Sequence, residues 1–163
     1  MVIFGKSPLN RDRLLRKQGG IRVIKDQSVQ ESGQIILPNH DLYSVWNTRI
    51  NRFPTVIFEC KSEADVQSAV RFSVSEDLKI SIRGGGHHVA GTAVCDHGVM
   101  IDLSNMKKVR VDEINRIAYV EAGATLADVD AETQKYGLAT PTGTVSETGI
   151  AGLSLGGGFG YLR

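Results

Sequence analysis

The sequence predicts an α+β domain organised around a parallel βαβ unit, and three observations carry that reading. A β-branched and aromatic run, TVIFEC at 55–60, is followed by apolar residues at helical spacing and then by a second strand-like run, KISIR at 79–83. Two further strand-like runs, GVMIDLS at 98–104 and RIAYVEA at 116–122, lead into a second helical stretch. The 18 glycines are clustered, 12 of them in the windows RGGGHHVAG (83–91) and GLATPTGTVSETGIAGLSLGGGFG (137–160). Ordering glycine costs conformational entropy, so such clusters mark backbone that turns sharply or comes close to something.

The elements follow in order. Residues 1–33 have weak periodicity, a Gly19-Gly20 break and polar runs such as KDQSVQESGQ, and read as an arm without assigned structure or function. The body is 34–163. In YSVWNTRINR, at 43–52, Val45, Trp46 and Ile50 fit one stripe of a short helix stopped by Pro54, with Trp46 as a packing anchor. After the strand at 55–60, Ser62 and Asp65 have capping-box spacing, and Val66, Ala69, Val70 and Val74 recur at three- and four-residue intervals, which predicts a helix from about 63 to 77 with an apolar stripe. Strand, helix and strand within about thirty residues make a βαβ unit. KKVRVD is a third strand candidate, with a turn at 112–115. Thr125 and Asp128 cap a helix running to about Tyr136, closed by Gly137. The stretch 138–163 shows no clean period.

The charge balance excludes several classes of function. With 19 Lys and Arg against 18 Asp and Glu, a net +1, the chain has no surplus with which to neutralise phosphates, so nucleic acid is not an expected partner. There is no apolar run of eighteen residues, and the stretch after MVIFGKSPL is charged, which makes a membrane partner unexpected and a cytoplasmic location the default. Cys60 and Cys95 are too few for a disulfide scaffold and read as reduced thiols, Cys60 as a small core residue. His87, His88, Cys95 and His97 carry metal-ligand chemistry, but adjacent histidines on extended backbone point to opposite sides, so no metal site is expected. LGGGFG lacks the spacing of a dinucleotide fingerprint, and no Walker lysine follows a GxxxxG. What remains is positional. RGGGHH begins where the second strand of the βαβ unit ends, the place where open α/β sheets present free backbone amides to an anion. Turns in a β-rich protein are the plainer reading of the glycines.

Taken together, RGGGHHVAG, VMIDLSNMKKVRVD and the long run from EAGATLADVD to SLGGGFG resemble the amino-terminal half of FAD-linked oxidases of the vanillyl-alcohol-oxidase, or PCMH, superfamily. Within it the chain is most similar to the berberine-bridge-enzyme and 6-hydroxynicotine-oxidase-like proteins. The resemblance covers about three quarters of the chain, 45–163. It implies a PCMH-type FAD-binding fold, incomplete at its carboxyl end, and FAD as cofactor. By position it implies that Arg83 is among the cofactor-binding residues, that the backbone of Gly84, Gly85 and Gly86 holds the pyrophosphate and that Gly91 closes the loop. It also implies that His87 is bonded covalently to the flavin 8α carbon, with His88 second in rank. Ser146, Thr148, Gly149 and Gly152, with Gly156, Gly157, Gly158 and Gly160, would line the other side of the cofactor. Some relatives carry a second link from a cysteine eleven residues before the last glycine triplet; here that position is Val145, so one link only is implied.

The resemblance further implies a flavin-dependent oxidoreductase that takes a hydride from a C–H beside an alcohol or amine and passes electrons to dioxygen. Relatives continue with a substrate domain after GGGFG, so the chain reads as a fragment, inactive alone, whose partners are a small-molecule substrate and possibly a separate chain carrying that domain. No catalytic acid or base can be named. A remnant without cofactor, or a module binding another anion or partner chain, stays open as the alternative.

Overall fold

The computed structural model describes residues 16–17, 20–21, 33–36 and 45–158. The chain divides into two units, Met1–Gln30 and Glu31–Arg163. In the first, strands β1 (Arg16–Lys17) and β2 (Gly20–Ile21) pair antiparallel.

In the second unit, β3 (Gln34–Ile36), β4 (Val56–Glu59), β5 (Ile80–Arg83) and β6 (Val99–Asp102) form one sheet in the order β3-β4-β6-β5. β4 and β5 both run parallel to β6, and β3 pairs antiparallel with β4. The βαβ unit is therefore present, but β6 is inserted between its two strands. That insertion explains why VMID is buried at all four positions: an inner parallel strand is covered on both faces and flanked on both edges. Ile36, Val45, Ile57, Ala93, Val94 and Met100 pack as a cluster.

Helix α1 (Glu63–Ser75) joins β4 to β5 and starts as its sequence predicts, with Ser62 Oγ accepting from Asp65 N at 3.3 Å. Its packing face differs from the expectation. Asp65, Ala69 and Ser73 are the buried residues, whereas Val70 is exposed and Val74 is 71% exposed. The buried polar groups are satisfied locally: Asp65 accepts from Lys61 N at 3.0 Å and Ser62 Oγ at 2.8 Å, and Ser73 Oγ donates to Ala69 O at 2.7 Å. Small side chains let the helix sit close to the sheet, where Phe72 meets Phe58 at 5.3 Å between ring centroids.

Strands β7 (Val109–Asp112) and β8 (Ile117–Val120) form an antiparallel hairpin, as KKVRVD and RIAYVEA suggest. Its turn is fixed by Asp112, whose carboxylate accepts from Asn115 N at 3.0 Å and Asn115 Nδ2 at 2.8 Å. Helix α2 (Leu126–Thr133) opens on the full Thr125/Asp128 capping box and ends in a 3-10 turn, Gln134–Tyr136, closed by Gly137 at φ 65°. The aperiodic tail contains an element that the sequence did not disclose, helix α3 (Ile150–Leu155). The predicted helix around 45–52 is absent. Those residues form a bend and a turn, and Trp46 is 61% exposed rather than a core anchor.

Candidate functional site

Arg83 and Asp102 end the neighbouring strands β5 and β6 and are register partners. Their side chains meet at 3.5 Å, Arg83 Nη1 to Asp102 Oδ2, with Asp102 only 2% exposed. Asp102 Oδ1 also accepts from Ser104 N at 2.9 Å. Arg83 thus anchors the strand end from which the first glycine window departs.

The loop that follows runs Gly84, Gly85, Gly86, His87. A Cβ on Gly84 would sit 2.9 Å from Ala122 O, and Gly86 adopts φ 70°. Among the described residues none accepts from the backbone N–H of Gly84, Gly85, Gly86 or His87. Adjacent backbone donors without a described acceptor, at the carboxyl end of a parallel strand, are the kind of arrangement that takes an anion. His87 is half-buried, its ring stacked on Trp46 with centroids 5.1 Å apart and planes 21° from parallel. His88 is exposed, and its carbonyl accepts from Gly91 N at 2.9 Å, which closes the loop at the glycine expected to close it.

The second glycine window folds onto the first. A Cβ on Gly85 would strike Gly149 N, and would lie 2.7 Å from Gly149 Cα and 3.1 Å from Glu147 O. Gly149 is held there by an antiparallel bridge to Thr125. Around it, Leu126 N donates to Thr148 O at 2.9 Å, Ala127 N to Ser146 O at 3.0 Å, and Ile150 N to Ala124 O at 3.0 Å. Ser146 and Thr148 therefore give their carbonyls to the first turn of α2, which would otherwise leave those N–H groups unpaired. The same turn carries Asp128, whose carboxyl the backbone N–H and then the hydroxyl of Thr125 hold below the usual carboxylate range.

The residues named from the sequence thus separate into groups. Arg83, Gly84–86, His87, His88 and Gly91 form one continuous strand end and loop, and Ser146, Thr148 and Gly149 are joined to it through the Gly85 contact. Gly152 lies on α3 with open space where its side chain would be. Gly156 ends α3, and Gly157 and Gly158 follow at φ 96° and 64°. Gly160 lies outside the described residues. Val145 is exposed. Cys60 is fully buried, Cys95 is half-buried, and His97 is exposed at φ 55°. Among the described residues no group of three or more His, Cys, Asp or Glu is placed to hold a metal ion, and no helix is long and apolar enough to cross a membrane.

Sequence reasoning missed the segment that supports the loop from below. Trp46 N donates to Gly86 O at 3.1 Å, Asn47 Nδ2 to Val89 O at 2.8 Å, and Arg52 Nη1 to Gly91 O at 2.7 Å. No local pattern brings these residues opposite 86–91, because they lie some forty positions away in the chain and neither segment is a strand.

A strand-end amide cradle, a second glycine loop pressed against it and a histidine at its rim define an α+β cofactor-binding domain. The match of residues 54–163 to the FAD binding domain family says which one: the chain belongs to that family. It is 43% identical to an FAD-linked oxidoreductase of Dictyostelium discoideum, over 72% of this chain and 25% of that protein. It is 32% identical to berberine bridge enzyme-like 2 of Arabidopsis thaliana, over 72% of this chain and 23% of the other. Among solved structures, 6-hydroxy-D-nicotine oxidase from Arthrobacter nicotinovorans superimposes with a TM-score of 0.79 at 33% identity, over 85% of this chain and 32% of that one. Glucooligosaccharide oxidase from Acremonium strictum, described as carrying a 6-S-cysteinyl, 8α-N1-histidyl FAD, gives 0.74 at 28% identity, over 79% and 28%. The chain spans about a quarter to a third of the length of these proteins. The resemblance to the vanillyl-alcohol-oxidase type of FAD oxidase, and the α+β fold, hold in sequence and structure alike.

Proposed function

We propose that this chain is the FAD-binding portion of a flavin-dependent oxidase acting on a C–H beside an alcohol or amine, with dioxygen as electron acceptor. The observation that carries the reading is the contact of Gly85 with Gly149 beside four backbone N–H groups that have no acceptor among the described residues. The donor set fits the group. Amides of Gly84, Gly85, Gly86 and His87 bind an anion of the pyrophosphate type, and the missing side chains let it approach the backbone closely. When bound, FAD supplies the hydride acceptor. The protein's part is to hold it: Arg83, paired with Asp102, fixes the strand end, and the bonds of Ser146 and Thr148 to α2 fix the facing loop.

His87, the residue after the glycine triplet, is the covalent attachment point; a histidyl FAD in the Acremonium enzyme supports a histidine in that role. Val145 stands where a second, cysteinyl link would be, and its side chain forms no thioether. The loop carries one link. The substrate, a sugar, an alkaloid-like amine or a phenolic alcohol, and the side chains that take up its proton belong to segments beyond these 163 residues, carried on the same or a separate chain. The 163-residue chain by itself binds FAD and does not turn over substrate.

The test is a titration of the purified chain with FAD and, separately, with riboflavin, read by quenching of flavin fluorescence. Saturable binding of FAD and none of riboflavin is expected, because riboflavin lacks the pyrophosphate. Equal binding of both, or of neither, would remove the cradle from the account.

A further inference from the structure

Resting on the reading of His87 as the attachment point, we infer that Trp46 is a positioning residue for flavin attachment, setting the orientation of the imidazole through the ring stack. The arrangement is specific. Trp46 touches His87 through its side chain and Gly86 through its backbone, so one residue grips the loop on both sides of the Gly86-His87 peptide bond. Its neighbours complete the grip, with Asn47 on Val89 at 2.8 Å and Arg52 on Gly91 at 2.7 Å and Val94 at 3.3 Å. Ile50 lies where a Cβ on Gly91 would come within 2.7 Å, and Val45 packs with Ala93 and Val94. The backbone of 86–94 is thereby held at Gly86, Val89, Gly91 and Val94. What the backbone leaves open is rotation of the His87 side chain, and the indole plane, 21° from the imidazole plane, removes that freedom. A stack of this kind also explains why a large apolar ring remains 61% exposed: its partner is the histidine and not the core.

In the attachment step a ring nitrogen of His87 forms a bond to the flavin 8α carbon. One proton leaves the 8α methyl and one leaves the imidazole N–H. The electron pair is taken up by the flavin ring, and dioxygen reoxidises it, giving hydrogen peroxide. The rate of this step depends on how often the imidazole points at the carbon, so pre-orientation speeds it without changing FAD affinity.

Three chains are compared: wild type, Trp46→Leu, which keeps apolar bulk without a ring, and Trp46→Phe, which restores one. Apo-protein is mixed with FAD in air, and acid-stable flavin is followed with time, while non-covalent affinity is measured separately with 8-demethyl-FAD, which has no 8α carbon for the imidazole to attack. The expected result is a fall of threefold to tenfold, on the order of the value of one aromatic pair, in the attachment rate of Trp46→Leu. Its FAD affinity stays unchanged, and Trp46→Phe recovers most of the rate. Trp46 is the sole tryptophan, so its emission reads the stack directly and should change in His87→Ala. Attachment at the wild-type rate in Trp46→Leu, or tryptophan emission indifferent to His87→Ala, would overturn the inference while leaving His87 in its role. A wild-type chain that binds FAD but never holds it through acid would instead remove the reading of His87, and the inference with it.

Discussion

Gly85 and Gly149 pack backbone against backbone, so that the amide of each occupies the place where the other would carry a side chain. The contact joins the end of a parallel strand to the approach of α3 and brings together two glycine windows that are far apart in the chain. Neither residue can be enlarged without separating the loops. Gly85→Ala and Gly149→Ala should each cost about 1–3 kcal/mol, as over-packing against backbone does, and each should abolish FAD binding. Urea unfolding and flavin titration check both. Gly152→Ala is the contrast, because nothing lies within 4 Å of the added methyl; it should stabilise the apo-chain by about 0.5–1 kcal/mol.

Gly123 makes the tightest approach outside the site. Its N–H donates to Met106 O at 2.9 Å, and a Cβ would lie 2.6 Å from the Leu103 carbonyl carbon. Because the obstacle is backbone, Gly123→Ala should lower stability by about 3 kcal/mol, measured as a shift in the urea midpoint with unchanged slope.

Asp102→Ala should be more damaging than Arg83→Ala. Asp102 is the more deeply buried partner and also receives Ser104 N, so its removal takes one acceptor each from Arg83 Nη1 and Ser104 N. A loss of about 2–4 kcal/mol is expected for Asp102→Ala, with the difference between the variants read by thermal unfolding at neutral pH.

Asp128 sets part of the acid sensitivity. Its folded carboxyl is held below the ordinary carboxylate value by Thr125, so the stabilisation is fully present above the unfolded value and disappears as pH falls through the lower folded one. Asp128→Ala should cost about 1 kcal/mol at neutral pH. It should also flatten the loss of stability below pH 3.8 in a pH series of urea melts.

Much of this was legible in the sequence, because local chemistry fixes it. Ser62 with Asp65, Thr125 with Asp128, and Gly137 mark helix ends by bonds made within four residues. TVIFEC and VMID declare buried strands by composition. What was not legible depends on distant partners. The insertion of β6 between β4 and β5 is a matter of pairing, which periodicity does not report. The apolar spacing in α1 marks the helix but not its buried face, because the close fit to the sheet selects Ala69 and Ser73 over Val70 and Val74. The size of Trp46 likewise suggests a core anchor, whereas its partner His87 lies forty-one positions away. Within the site, the loop 84–91 was recognisable from its glycines, but the Gly85 contact with Gly149 and the hold of 45–52 on the loop required the fold.

The most direct test of the account is the flavin content of the purified chain after acid precipitation, in wild type and in His87→Ala, both produced with excess riboflavin. The account predicts one flavin per chain in the wild-type pellet and none in that of His87→Ala, whose native form still binds FAD reversibly. Flavin retained equally by both pellets, or by neither, would contradict it.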